Sequence, residues 1–289
     1  FPSLYHNPRK GRGYSEVPKT NSEQTSTDCA YFSDFSTKSP SGIFGYHEGT
    51  MLSDVNTFYK YQRFFGKDSY YTWRSGLKHD SSKVMELRKS NNGLENGFGN
   101  IVDVEDVYVY PLLKSSDLGN KRTQTVRLNV LVTQKKIGQP TDDIREIAPL
   151  TWKYLEKHSG SLDGRKSSIY RDKPRFSIFG VGDYTFYDWK VAISGFYKRL
   201  VFEVVGPIDG KPVMFDDTVY FLSAATEKEA RFLADILNAK PCHDFLESMI
   251  FWADKRPITV DLLKRVKLEE VAECLGRGEE YRYFTGKRR

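Results

Sequence analysis

Apolar residues in this chain recur at every second position in several stretches of its middle and at every third or fourth position through its C-terminal end, without a regular alternation of the two. Val126, Leu128, Val130 and Val132 alternate over 126–133, which predicts a strand with one buried face. Ile101–Val109 alternates apolar with acidic residues and predicts a strand running into Tyr110–Leu118. Leu200–Val205 and Lys211–Phe215 flank Pro207-Ile208-Asp209-Gly210, a hairpin signature, and Thr218–Leu222 supplies another strand. Past that point the period changes. Thr226-Glu227-Lys228-Glu229 reads as a capping box opening a helix with Ala230, Leu233, Ala234 and Leu237 on one face, ended by Asn238 and Pro241. A second helix carries Phe245, Leu246, Met249 and Ile250, and the last carries Leu268, Val271, Ala272 and Leu275 before Gly276. Strands first and helices last, with no regular strand-helix-strand alternation, predict an α+β fold of mixed or antiparallel sheets with bracing helices.

Earlier in the chain, residues 54–65 predict a short helix with Val55, Phe58, Tyr59 and Gln62 near one face. Asn91-Asn92-Gly93 and Asn96-Gly97 are turn signals. Ile144, Ile147, Ala148, Trp152 and Leu155 predict one helix closing near Lys157-His158 and Gly160. Residues 1–50 are rich in Ser, Thr, Gly and Pro, with Arg9-Lys10-Gly11-Arg12 near the start. They read as an extended arm with one short strand near Ala30-Tyr31-Phe32, and the arm and linker are taken as 1–69.

Composition narrows the function. The 289 residues suffice for one large domain or two ordinary ones, and no apolar run approaches the ~20 residues of a membrane helix. Forty-four Lys and Arg against thirty-eight Asp and Glu give a net charge of +6, which permits a nucleic-acid partner without demanding one. Cys29, Cys242 and Cys274 are odd in number and far apart, which fits a reduced, cytoplasmic setting. No two of the five histidines share a metal-ligand spacing, so no metal site is expected.

Lys173–Lys198 concentrates aromatics with glycines at 180, 182 and 195 and cations at 173, 175, 190 and 198. Glycine lets backbone approach a ligand, aromatics offer flat faces, and cations meet phosphate, so the stretch reads as a nucleic-acid platform. It reads equally as sheet core with solvated lysines. Tyr70–Asp80 repeats the mixture, and Arg165-Lys166-Ser167-Ser168 groups cations with the hydroxyls that phosphate oxygens accept from.

Enzyme signatures are missing. None of the Gly-x-Gly occurrences at 11, 97, 180 and 276 completes Gly-x-Gly-x-x-Gly, and there is no Walker loop and no Gly-x-Ser-x-Gly elbow. A magnesium nuclease would want converging carboxylates with a lysine. Glu-x-Lys does not occur, and Asp216-Asp217, adjacent in a strand, would point to opposite faces.

Tyr110-Pro111-Leu112-Leu113-Lys114-Ser115-Ser116-Asp117-Leu118 resembles the Pro-Leu-Leu-(Lys or Arg)-x-x-Asp-(Ile or Leu) signature that opens the target-recognition region of gamma-class adenine-N6 DNA methyltransferases and type IIG restriction-modification enzymes. The order that follows is similar too: a helix ending Tyr154–His158, then Leu162 and Arg165, then Lys173–Gly182, then Asp216–Leu222. Trp73–Asp80 with Lys83–Leu87 resembles a joining segment of one branch, and the likeness covers roughly residues 28–275. These methyltransferases also carry an (Asn or Asp)-Pro-Pro-(Tyr or Phe) motif that grips the extruded adenine and a glycine-containing motif for S-adenosylmethionine. This chain has no Pro-Pro.

The resemblance therefore implies a TaqI-like DNA target-recognition domain over 70–289 without its catalytic domain. Its partners would be double-stranded DNA and a catalytic methyltransferase domain or subunit that holds S-adenosylmethionine and acts on a flipped base, with no membrane involved. No catalytic residue, cofactor or metal is assigned to this chain. Arg74, Lys78, Lys83, Lys114, Arg165, Lys166 and Arg175 would hold phosphates. Ser116, Asp117, Ser168, Tyr184 and Tyr197 would reach base edges or fill the gap a flipped base leaves. The rival readings are a restriction endonuclease subunit and a protein-interaction module.

Overall fold

The computed structural model describes residues 44–286 and the backbone of 29–32. β1 (Cys29–Phe32), β2 (Phe44–His47) and β3 (Thr50–Leu52) form a small antiparallel sheet, and α1 (Val55–Lys60) starts where the Asp54 carboxylate accepts from the Thr57 amide at 3.0 Å. Next come β4 (Arg74–Ser75), α2 (Ser82–Met85), β5 (Glu86–Ser90), β6 (Gly93–Asn96), β7 (Ile101–Val102), β8 (Val109–Leu113), α3 (Ser115–Gly119) and β9 (Leu128–Leu131). α4 (Ile144–Ile147), α5 (Pro149–Lys157) and α6 (Ser159–Asp163) precede β10 (Trp189–Ser194), β11 (Glu203–Val205), β12 (Met214–Phe215) and β13 (Val219–Ala224). The described chain closes with α7 (Glu227–Asn238), α8 (Lys240–Glu247), α9 (Val260–Leu263), α10 (Leu268–Cys274) and α11 (Gly278–Thr285).

The architecture is α+β, as the change of period predicts. One sheet runs β11-β10-β13-β4, all antiparallel, and the other runs β12-β8-β9-β5-β6-β7, with only the β12–β8 pair parallel. Strand alternation explains how they stack. Val191 and Ile193 of β10, with Tyr220, Leu222 and Ala224 of β13, face the core under the C-terminal helices. Ala192, Val219 and Phe221 face the other way and meet Leu113 and Phe215 from the larger sheet and Leu118 of α3. That sheet buries Leu87, Leu112, Val130 and Leu131 with Trp152 and Leu155 of α5 in a separate core. The smaller sheet is thus covered by helices on one face and by its larger neighbour on the other.

Several elements depart from their expected form. The arm ends sooner than residue 69: Leu52, Val55, Phe58 and Phe64 are buried in the helical core, where Phe58 stacks on Phe245 at 5.6 Å. The cluster Arg9–Arg12 and the tail Lys287–Arg289 lie outside the described residues. The strand expected over 101–109 splits, because a 3-10 turn at Asp106–Tyr108 separates β7 from β8. The acidic positions there do other work: the Glu105 carboxylate accepts the Leu150 and Thr151 amides at 2.9 and 2.7 Å and caps α5. Proline at the first position of α5 breaks the helix expected over 142–158 at Ala148. Of residues 126–133 only Leu128–Leu131 form a strand, and Asn129, Val130 and Leu131 are buried in succession, so both of its faces are covered. Beyond it the buried Thr133 hydroxyl donates to Phe176 O and Gln134 accepts the Ile178 amide. The 207–210 turn closes only the Ile208–Lys211 bridge, and its flanking strands enter different sheets. α11 lies beyond the expected last helix, anchored by buried Tyr281, whose hydroxyl donates to Asp68 at 3.0 Å. In the capping box, Thr226 accepts the Glu229 amide at 3.2 Å as expected, but Glu229 turns its carboxylate to the Ala225 amide and the Tyr71 hydroxyl.

One crossing joins the sheets. The Gly76 amide donates to Val219 O at 3.0 Å, the Leu77 amide to Phe215 O at 2.6 Å, and Lys78 exchanges two 2.9 Å hydrogen bonds with Phe179. A Cβ on Gly76 would collide with the carbonyls of Phe215 and Asp216, and one on Gly180, at φ +70°, with the carbonyl of Gly76. Gly76→Ala and Gly180→Ala are each expected to lower the unfolding free energy by roughly 2–4 kcal/mol in denaturant titration. A loss under about 0.5 kcal/mol at both would contradict a closed crossing.

Candidate nucleic-acid interface

Strand direction brings the candidate segments to one end of the two sheets. β10 ends at Ser194 opposite Val219, where β13 begins, and β4 leaves Ser75 opposite Tyr220. β8 and β12 run parallel and finish together at Leu113 and Phe215. The loops Gly76–Lys78, Lys114–Gly119, Gly195–Arg199 and Asp216–Thr218 therefore emerge side by side, tied by Ser115 Oγ donating to Thr218 O at 2.7 Å. Loops at the end of a rigid sheet are a common place for a binding surface.

Many predicted phosphate-binding cations are occupied within the chain. Arg165 is half-buried, donates to the carbonyls of Leu162, His79 and Ser177 at 2.6, 3.2 and 2.6 Å, and lies 3.7 Å from the Tyr170 ring centroid. Burial pulls its guanidinium below the ordinary value, with Tyr170 and nearby acids opposing. In this arrangement it acts as a strut between α6, His79 beside the Gly76–Lys78 crossing, and Ser177. Lys114 is bound to Glu86 at 2.6 Å, and His79 Nε2 sits 3.4 Å from the same carboxylate. Burial pushes the Glu86 carboxyl up, but the hydrogen bonds from His79 and Lys114 outweigh it and hold it below the ordinary value. Arg175 pairs with Glu156 and Asp163 at 3.7 and 3.4 Å, away from the strand ends on α5 and α6. Lys78 lies 3.8 Å from Asp80, Lys83 is 5.5 Å from the Phe98 ring centroid, and Arg74 lies over Tyr184 at 4.6 Å. Lys166 and Ser168 are exposed in the connector after α6.

The predicted base readers are largely supports. Asp117 is buried, its side chain 2% exposed. It accepts the Lys114 amide at 3.0 Å, capping α3, and pairs with Arg127 at 2.6 Å and Arg122 at 3.6 Å. The sequence offered this carboxylate as a base contact, and in this structure all of its contacts are made within the chain. Ser116 Oγ accepts from Arg127, the Tyr197 ring lies against Gly119, and Tyr184 packs beside Phe221. The cations that do face solvent here are Lys121, Arg122, Arg127, Lys198 and Arg199. The first three lie within the nine residues that follow Leu118, the last residue of the Pro-Leu-Leu-Lys-Ser-Ser-Asp-Leu motif, and were not among the candidates read from the sequence.

For much of Lys173–Lys198 the sheet-core alternative holds. Phe176, Ile178, Val181 and Val191–Ile193 are buried, and Lys190 is 1% exposed. Its amine donates to Tyr187 O at 2.5 Å and Val213 O at 3.0 Å, so a neutral amine already has an acceptor for each of its two hydrogens. Burial pushes the Lys190 amine down to about 7, with Asp188 opposing.

Two clefts, one between Gly119, Tyr197 and Arg199 and one between Asp68, Tyr71 and Leu268, lack the glycine turn after a parallel strand that would suit S-adenosylmethionine. Among them no cluster of three or more His, Cys, Asp or Glu is placed to hold a metal, and no helix is long and apolar enough to cross a membrane.

Known proteins bear on this arrangement. No protein-family model matches the chain. Over 231 residues, 80% of its length, it is 47% identical to the type II methyltransferase M.NspV of a Nostoc species, and it covers 48% of that protein. The chain thus spans about half the length of the curated relative it matches. A solved structure of the type IIL restriction-modification enzyme MmeI in complex with DNA is similar to 70% of this chain, over 26% of its own, at TM-score 0.41 and 12% identity.

The buried amine gives a pH test. Its folded-state pKa lies below the unfolded value of 10.5, so between about pH 7 and 10 the unfolded chain keeps a proton the folded one has released, and stability rises with pH. The Lys190 contribution is roughly 1.4 kcal/mol per pH unit in that window. Lys190→Met is expected to remove this rise in denaturant titrations across pH 7–10. Parallel profiles for the two proteins would contradict it.

Proposed function

We propose that this chain is the DNA target-recognition part of an adenine-N6 methyltransferase of a type II restriction-modification system, organised as a TaqI-like recognition domain over 70–289. The observation that carries the reading is the 47% identity to a type II methyltransferase over 231 residues, in a chain with neither the adenine-gripping motif nor the glycine-containing one. In the methyltransferases that the chain resembles, residues of this kind choose the site. The Pro-Leu-Leu-Lys-Ser-Ser-Asp-Leu motif supports it, because it delivers α3 and the cation-bearing loop beyond it to the strand ends. Lys121, Lys198 and Arg199 have no acidic partner among the described residues and are suited to phosphate. Arg74, Lys78, Lys83 and Lys166 would extend the contact along the duplex. A catalytic domain or subunit would hold S-adenosylmethionine and act on the extruded adenine.

Fluorescence anisotropy with a mixed-sequence duplex tests this. Binding is expected at 50 mM salt and should weaken ~100-fold at 200 mM if about four phosphates are contacted. Absence of binding at 50 mM, binding indifferent to salt, or metal-dependent cleavage by the chain itself would overturn the reading.

A further inference from the structure

Asp117 and its two arginines have a geometry that phosphate gripping alone does not require. The segment Gly119–Arg127 leaves α3, turns at Lys121 with a left-handed backbone (φ 55°), and returns to β9. Its base is fixed: the Arg122 amide donates to Asp117 O at 2.8 Å, Asn120 Nδ2 to Ser116 O at 2.6 Å, and Arg199 Nη2 to Gly119 O at 3.0 Å. Arg127 anchors Nε on the Asp117 carboxylate at 2.7 Å and Nη2 on the same carboxylate and on Ser116 Oγ. Arg122 sets Nε 3.6 Å from that carboxylate and Nη2 3.4 Å from Ser116 O. Both side chains are a little under half exposed, at 47% and 42%, and the Nη1 group of each has no partner among the described residues.

A buried carboxylate holding the inner edges of two guanidinium groups orients them and takes up part of their charge. For diffuse attraction to a phosphate chain that would be a loss. For a directional hydrogen bond it is a gain, because the fork no longer gives up rotamer freedom on binding. In the major groove guanine presents only acceptors, O6 and N7, and arginine carries only donors.

We propose that Gly119–Arg127 is a base-reading loop in which Asp117 presents Arg127, with Arg122 beside it, to a guanine edge in the major groove. This rests on the DNA-recognition reading above. Within it the arginines are specificity-determining residues, Asp117 and Ser116 are positioning residues, and Lys121 contributes charge.

The test is selection of bound sequences from a randomised duplex pool by the full chain, followed by binding to the selected duplex and to one with its guanine replaced. The wild type should recover a pattern with a required guanine. Arg127→Ala and Arg127→Lys should each lose that preference by roughly 5- to 150-fold, while Arg127→Lys, which keeps the charge, holds affinity for unselected duplex within about threefold. Asp117→Asn should blunt the same preference, with thermal unfolding checking that α3 survives. Lys121→Ala should weaken all duplexes alike and lower the salt slope. A wild type that binds without a guanine preference, or Arg127 and Arg122 variants that keep the wild-type pattern, would overturn this inference and leave DNA recognition standing. A wild type that binds no duplex would overturn the reading beneath it.

Discussion

The backbone of Gly76–Lys78 passes between Phe215–Asp216 on one side and Phe179–Gly180 on the other, with no space for a side chain at either glycine. Backbone hydrogen bonds formed there satisfy peptide groups that the packing removes from water, so the segments lock or the crossing opens. Because the same three residues extend β4 of one sheet and reach the end of β12 in the other, the crossing sets the relative position of the two sheets. The loops that leave their common end inherit that position.

Around this crossing the chain separates holding from reaching. Arg165, Lys114, His79 and Glu86 are joined by short contacts among themselves or to backbone carbonyls. Groups so engaged are costly to expose and poorly placed to meet a ligand. Asp117 does the same for the next loop, and the side chains it steadies are the ones left in water. A surface that must recognise a pattern benefits from this division, since rigid donors lose less entropy on binding than free ones.

The fold class was legible because period is a direct consequence of which face is buried. The capping threonine at 226, the breaks at Asn238 and Pro241, and the turn at Asn91-Asn92-Gly93 all lie where short-range chemistry puts them. Long-range pairing was less legible. The Pro207–Gly210 turn has hairpin chemistry, yet its strands diverge because burial in two different sheets outweighs pairing across the turn. For the candidate site, residue type picked out segments that the fold brings to one end of the sheets, but it did not show which of their side chains the chain itself engages. Asp117 and Arg165 have chemistry suited to a ligand, and only the fold shows that the chain itself consumes it. Lys190 lies in a stretch of aromatics and cations, and nothing local distinguishes a buried amine from a solvated one.

Hydrogen exchange with and without duplex tests most directly whether the strand ends are the nucleic-acid face. Duplex at saturating concentration should slow amide exchange in peptides covering 114–127 and 194–199 and leave α7–α11, which brace the opposite face of the smaller sheet, unchanged. Protection confined to α7–α11, or no protection in either loop while duplex is bound, would contradict the account.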